Sequence, residues 1–193
     1  MDNLLDRMIR AAKLEVDLYE EVEADTTATS QAITVVILVA IANGIGAAIS
    51  FFIFGRGIVG LFRGLFLGPI LSMIGYFIWA FLTYFIGVHV FGGTADYGEM
   101  LRTIGFAYTP NILGFFAFIP CVGWLISLVG AVWALIAGVV AVRQALDFDT
   151  AKAIMTCIIG WIVSLILTLV FGAFWRMGVL GARRLFRPPL RYR

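Results

Sequence analysis

From Ile104 to Val142 the chain runs 39 residues without a charge, and this stretch holds Pro110, Asn111 and Pro120. A helix that crosses a bilayer needs about 20 mostly apolar residues. The stretch is therefore too long for one crossing and long enough for two, once the amphipathic lead-in from Tyr97 is counted. IPCVG at 119–123 reads as the tight turn between spans at about 97–119 and 122–142. Pro110 falls inside the first of these. It lacks an N–H and clashes with the carbonyl of Phe106, so a kink is expected at Tyr108–Asn111, with Thr109 and Asn111 re-satisfying freed backbone groups. A re-entrant segment over 105–120 is the alternative and leaves four true spans.

Three further apolar runs fit crossings at about 33–54, 65–90 and 153–174. The expected fold class is all-α, a polytopic helical membrane protein with five transmembrane helices. Composition agrees: 62% of the 193 residues are hydrophobic and 13% charged, against about 25% charged in soluble domains. A single membrane domain over 31–175 is expected. The first apolar run follows an acidic leader and is long enough to span, so it reads as a retained anchor and not a cleavable signal. Stripes of small residues, such as Gly130, Ala134 and Gly138, or Ala42, Gly46 and Ser50, allow close helix approach.

The two ends differ. Residues 1–25 carry eight acids and three bases, and the remaining residues carry four acids and eleven bases. Apolar residues at helical spacing over 2–23 predict one amphipathic helix, with Asp6 and Arg10 as an i,i+4 pair. Its acidic polar face disfavours anionic lipid and points to packing on the protein's own loops or on a partner. Thr29 or Ser30 is expected to cap the first span, Asp96 with Glu99 to form a capping box, and Asp149 or Thr150 to cap the last span. Residues 176–193 read as a basic tail, whose Arg176, Arg183, Arg184 and Arg187 are candidate contacts for lipid headgroups, anionic ones in particular. Bases near span ends favour the tail side by about eight to four, which places the C-terminus in the cytoplasm under the positive-inside rule.

Several apparent motifs carry no chemistry. Gly55, Gly57 and Gly60 match G-x-G-x-x-G, but between two spanning helices and outside any βαβ unit. The linker 55–64 instead reads as an interfacial loop anchored by Arg56 and Arg63. Cys121 and Cys157 lie in apolar context, read as small buried hydrophobes, and fall too far apart for a disulfide. With His89 as the single histidine, no zinc or iron–sulfur spacing exists. Nothing supplies a nucleophile–base pair or a paired carboxylate site. No enzyme activity, cofactor or nucleic-acid partner is expected.

The residues GFAYTPNILGFFAFIPCVGWLISLVGAVWALI (105–136) and VVAVRQALDFDTAKAI (139–154) combine a tyrosine–proline break, a proline-bearing turn and a Gly/Trp-bearing span. Val-Arg, a short polar loop and Lys-Ala follow. This stretch, about Asp96 to Leu167, resembles the Yip domain family of Ypt/Rab-interacting membrane proteins, in a short prokaryote-like form. The resemblance implies a five-span helical domain without enzyme chemistry, and it matches the recurring pattern at Tyr108, Pro110, Asn111, Arg143 and Asp147. Eukaryotic members are associated with Rab-type GTPases, vesicle trafficking and membrane shape, and are drawn with the leader in the cytosol. The long polar leader of those members has no counterpart here, so GTPase binding is not carried over.

The expected role is a non-catalytic organiser or scaffold in a bacterial cytoplasmic membrane, acting through helix faces, lipids, a homo-oligomer or a membrane-protein partner. A small transporter, flippase or channel is the first alternative, although no span carries a central charge of the kind such proteins use. An accessory subunit of a larger membrane complex is the second, with Trp79, Trp133 and Trp161 as contact residues.

Overall fold

The computed structural model describes the backbone of residues 4–55 and 57–185, and the side chains of these except residues 57, 58, 168 and 171–185. Among the described residues the chain is helical, with no strand. The helices are α1 (Leu4–Ala12), α2 (Val16–Ala24), α3 (Ala28–Ile53), α4 (Gly57–Phe62), α5 (Gly68–His89), α6 (Tyr97–Ala107), α7 (Gly123–Ala145) and α8 (Thr150–Leu185). A π-helical turn, Arg63–Leu67, joins α4 to α5, and a 3-10 helix, Thr109–Phe118, continues α6. Four helical stretches are long and apolar enough to cross a membrane: Ala28–Ile53, Val59–His89, Gly123–Ala145 and Thr150–Leu167.

The shorter apolar helix is the 3-10 segment Thr109–Phe118, which continues α6. Gly105 lies against Ala32, Asn111 is hydrogen-bonded to Asn43, and Phe115 lies against Gly46, so the segment advances steadily along α3. On its other side Pro110 meets Gly130 and Phe116 meets Gly123, which makes it antiparallel to α7. At about 1.5 Å per α residue and 2.0 Å per 3-10 residue the combined run covers about 36 Å. A re-entrant segment would double back along α3, and this one does not.

Pro110 acts by tightening the helix and not by bending an α-helix. The Phe106 carbonyl, which an α-helix would offer to residue 110, accepts instead from Thr109 Oγ1 at 2.7 Å, and Asn111 N–H donates to the Tyr108 carbonyl at 3.1 Å. A 3-10 run this long is uncommon on its own. Glycines hold it on both sides. A Cβ at Gly46 would sit 2.1 Å from the Phe115 oxygen, and a Cβ at Gly130 would sit 2.9 Å from the Pro110 oxygen. The turn at 119–122 then reverses the chain, with Cys121 at φ +65° and Gly123 N–H donating to the Ile119 carbonyl.

The leader is a helical hairpin, α1–α2, and not the single helix its periodicity suggests. Leu14 adopts φ +64°. Leu14 N–H donates to the Ala11 carbonyl and Glu15 N–H to the Arg10 carbonyl, a Schellman closure that stops α1. Placing leucine in the left-handed region costs roughly 1 kcal/mol, and the ion pairs across the hairpin offset it. Arg7, 6% exposed, donates to Glu21 at 2.7 Å, to Asp25 at 3.1 Å and to Gln31 at 3.0 Å. Arg10 pairs with Glu15 and Glu21 in place of the expected Asp6.

Other boundaries shift for local reasons. Residues 57–67 are helical, so the expected interfacial loop shrinks to the few residues after Ile53, and Arg63 lies exposed in the π turn. That turn buries Gly64 against the backbone of Ala48 on α3, while Gly44 meets the Gly64 oxygen. The first span is preceded by Asp25 and not capped by Thr29 or Ser30: Asp25 Oδ1 accepts from Thr27 N–H and Thr27 Oγ1. The Thr29 and Ser30 hydroxyls turn back to the carbonyls of Thr26 and Thr27. The capping box of Asp96 and Glu99 is present in both directions at 2.7 Å, and Asp149 Oδ1 accepts from Lys152 N–H at 2.8 Å. The helix α8 continues to Leu185, so the region read as a tail begins helically. Arg176, Arg183 and Arg184 fall on that helix, whereas Arg187 and Arg56 lie outside the described residues.

Candidate functional site: a lateral groove at Tyr108 and Asn111

The five residues singled out from the sequence separate into two places. Tyr108 and Asn111 line a groove of about 490 Å³ between α5, α6 with its 3-10 continuation, α7 and α8. Pro110 is beside it, buried against Gly130. Arg143 and Asp147 lie at the leader-side end of α7 and do not reach the groove. There Phe148 N–H donates to the Arg143 carbonyl and Asp147 N–H to the Gln144 carbonyl, again a Schellman closure, with Asp147 at φ +53°. Asp147 Oδ2 also accepts from Thr94 Oγ1 at 2.9 Å, tying the α7–α8 turn to the α5–α6 turn. These two residues fasten turns, and the Arg143 side chain is exposed.

The groove exists because small residues face it. Ala131, Ala134 and Gly138 form one wall on α7, and a Cβ built on Gly138 meets nothing within 4 Å. Trp79 on α5 and Trp161 on α8 stand opposite, with Cys157 and Ile158. The stripe Gly130, Ala134 and Gly138 therefore divides. Gly130 seats the 3-10 helix, whereas Ala134 and Gly138 seat no neighbouring helix. The tyrosine hydroxyl is engaged with Ser72 Oγ at 2.9 Å. The Asn111 carbonyl accepts from Asn43 Nδ2 at 3.2 Å, while its side-chain amide makes no hydrogen bond among the described residues. The amide of Asn43 faces this neighbouring strand of backbone, as a mid-span polar group must, but its Oδ1 is buried without a partner.

The second assembly that sequence reasoning missed is the seat of the leader. Arg102, inside α6 and 5% exposed, donates to the carbonyls of Val22 and Glu23 at 3.0 and 3.1 Å. It places a cation on the C-terminal carbonyls of α2, where a helix carries partial negative charge. Trp133 Nε1 donates to the Ala12 carbonyl at 2.8 Å, and Gln144 Nε2 to Glu20 Oε1 at 2.8 Å, so α7 carries the hairpin along one side. Burial and then the nearby Glu99, Asp147 and Glu20 carboxylates push Glu23 up to about 7, against the pull of Arg102. For Glu21, burial acts upward, but hydrogen bonds from Arg10 and Arg7 outweigh it and hold the carboxyl below its ordinary value. Only the unbroken pattern of alternating apolar and charged residues hinted at this seat. A lone arginine in an apolar helix gives no sign of the carbonyls it will meet.

Among the described residues there is no group of three or more His, Cys, Asp or Glu side chains that could hold a metal ion. Both cysteines are free. Cys157 is buried in the groove wall, but Cys121, read from sequence as buried, is exposed at the tip of its turn because the chain reverses there.

A bundle that is all-helical among the described residues, with four long apolar helices and a shorter apolar one, defines a polytopic integral membrane protein. The family model of the Yip1 domain matches residues 17–172, and the chain belongs to the Yip1 domain family. No curated protein and no solved structure matches it.

Proposed function

We propose that this Yip1-family protein is a non-catalytic membrane organiser that works through its helix faces, the lipids around them and membrane-protein partners. One observation carries this reading: the apolar surface of the spans is bare while much of the leader's charge is engaged within the chain. Ile41 and Ile45 on α3, Phe77 and Phe81 on α5, Leu128 and Val132 on α7, and Ile158 and Ile162 on α8 are all exposed. The leader meanwhile spends Arg7, Arg10, Glu20 and Glu21 on contacts within the chain. Faces of this size serve lipid and helix contact.

The protein resides in a cytoplasmic membrane of bacterial type, with its arginine-rich end on the cytoplasmic side by the positive-inside rule. Arg176, Arg183, Arg184 and Arg187 there attract anionic headgroups at about 1 kcal/mol each. Tyr108 and Asn111 serve as contact residues of the groove, and Arg143 and Asp147 as turn fasteners. Reconstitution into liposomes tests the reading. A scaffold alters vesicle size or clusters a partner while leaving the bilayer sealed. Protein-dependent flux of ions, solutes or labelled lipid in sealed vesicles would replace this reading with a transporter or channel.

A further inference from the structure

We infer that α1 is an in-plane membrane helix whose Leu5 and Ile9 are seated among the acyl chains of the leader-side leaflet, with α2 as the layer above it. The inference goes beyond the organiser reading and rests only on the membrane-crossing bundle.

Depth carries the argument. The exposed large apolar residues of α7 run from Trp124 to Ile136, and beyond them Ala137, Ala141 and Val142 are buried. Ile136 therefore marks the leader-side rim of the lipid-facing band on this helix. The helix α1 packs on α6, the 3-10 helix and α7. Trp133 Nε1 donates to the Ala12 carbonyl at the end of α1, and Pro110, near the start of the 3-10 helix, lies level with Gly130. Gly130 and Trp133 stand six and three positions inside Ile136, which at 1.5 Å per residue is about 5–9 Å below the rim. An interfacial helix buries its apolar face to about 5–10 Å. Glu20 on α2 is held instead by Gln144, eleven positions beyond Trp133 and so about 16 Å further along α7. The hairpin thus stacks one helix inside the band and one outside it.

The side chains of α1 divide to match, into arcs spaced by about 100° per residue. Met8 and Ala11 are buried against the bundle, and Arg7, on the same side, reaches up to Glu21 on α2 and to Asp25 just after it. Leu5 and Ile9 form a second arc, 59% and 46% exposed. The third arc holds Asp6 and Lys13, both exposed, and Arg10, which is paired with Glu15 and Glu21. Bundle, hydrocarbon and headgroup layer each meet one arc, and the charges of α1 keep off the apolar one. The stripe of Leu5 and Ile9 continues the exposed band of Leu128, Val129 and Val132 at the same level, so the medium that covers the band covers the stripe. Anionic headgroups do not attract an acidic leader. Apolar contact holds it in the leaflet.

The test uses the full chain with Cys121→Ser and Cys157→Ala, in phosphatidylcholine vesicles with and without phosphatidylglycerol. A nitroxide is attached in turn at Leu5→Cys, Ile9→Cys, Lys13→Cys and Asp17→Cys, all exposed positions, and at Val132→Cys as the lipid-facing standard. Collision with oxygen, which concentrates in acyl chains, is compared with collision with a water-soluble nickel chelate. The oxygen-to-nickel ratio is expected to be several-fold higher at Leu5 and Ile9 than at Lys13 and Asp17, and to approach that at Val132. It should hold in high salt and without anionic lipid, because hydrocarbon contact is not screened. On the unsubstituted chain, a diazirine reagent dissolved in the bilayer should tag residues 4–12 and spare 16–24. Ratios at Leu5 and Ile9 no higher than at Asp17, or tagging of 16–24 in place of 4–12, overturn the inference. So does shielding of both sites from oxygen and nickel alike, which would put a second copy or another protein over the stripe. Neither readout depends on vesicle size or partner clustering, so failure here leaves the organiser reading standing.

Discussion

Gly130 and Gly138 lie two turns apart on the same helix and have opposite fates. At Gly130 a Cβ would collide with Leu113 at 2.8 Å and with the Pro110 oxygen at 2.9 Å, while at Gly138 it would meet nothing within 4 Å. The difference teaches that a small residue in a span is only a permission. It becomes close packing where a neighbour arrives with its backbone forward, as the 3-10 helix does. It becomes a cavity where the neighbours arrive with tryptophans that prop the helices apart. A third side of α7 holds the leader, through Trp133 and Gln144. One helix thus shows a sealed side, an open side and a latched side.

The largest effect should come from breaking the sealed side. Gly46→Leu places a side chain where the Phe115 backbone already sits, 2.1 Å from the first added carbon. A loss of more than about 4 kcal/mol is expected, seen as the absence of a monodisperse peak in detergent. Gly130→Leu should cost about 3 kcal/mol, less than Gly46→Leu because the overlap is shallower, the added carbon meeting the Leu113 Cβ at 2.8 Å and the Pro110 oxygen at 2.9 Å; a lowered melting temperature checks it. On the latched side, Arg102→Met leaves the Val22 and Glu23 carbonyls without their donor. About 2 kcal/mol of leader docking should be lost, read as faster proteolysis near residue 24 with the spans intact.

A smaller and more diagnostic effect concerns Glu23. Its folded-state value of about 7 lies above the unperturbed 4.5, so between those two pH values the docked leader keeps a proton that the undocked one releases. The Glu23 contribution to docking is therefore fullest below about pH 4.5 and is lost as pH rises through about 7. Glu21 acts in the opposite sense, because its value is lowered; its ion pairs fail only at pH below the ordinary glutamate range. Hydrogen exchange of α2 across pH 5–8 should show the slope, and Glu23→Gln should flatten it. The smallest change belongs to the open side. Gly138→Ala should be neutral or stabilise by about 0.5 kcal/mol through helix propensity alone, and a melting curve that drops by several degrees would mean the groove is already filled by protein.

The sequence carried the all-helical, apolar character because its long uncharged runs leave few options, and it carried the capping box and the turn at 119–123 because these depend on neighbours in the chain. The change from α to 3-10 after Tyr108 was half legible. Pro110 announces a disturbance, but the form it takes depends on Gly46 and Gly130, which are distant in sequence. The split of residues 2–23 at Leu14 was not legible, since leucine ordinarily continues a helix and only the pairing of Arg7 with Glu21 and Asp25 folds it back. For the same reason the groove could not be read. Tyr108 and Asn111 were marked by the pattern that resembles the family, but Trp79, Gly138 and Trp161 join them only through the packing of the helices around the groove.

The exposure of Cys121 at the tip of the 119–122 turn, set against Cys157 in the wall, gives the protein a built-in marker of its own sidedness. The turn lies at the end of the bundle away from the leader. A bulky maleimide that cannot pass a bilayer will therefore tag Cys121 in intact cells if that end looks outward, and only in inverted vesicles if it looks inward. Which way the chain was threaded can thus be read from the natural sequence, with no engineered thiol.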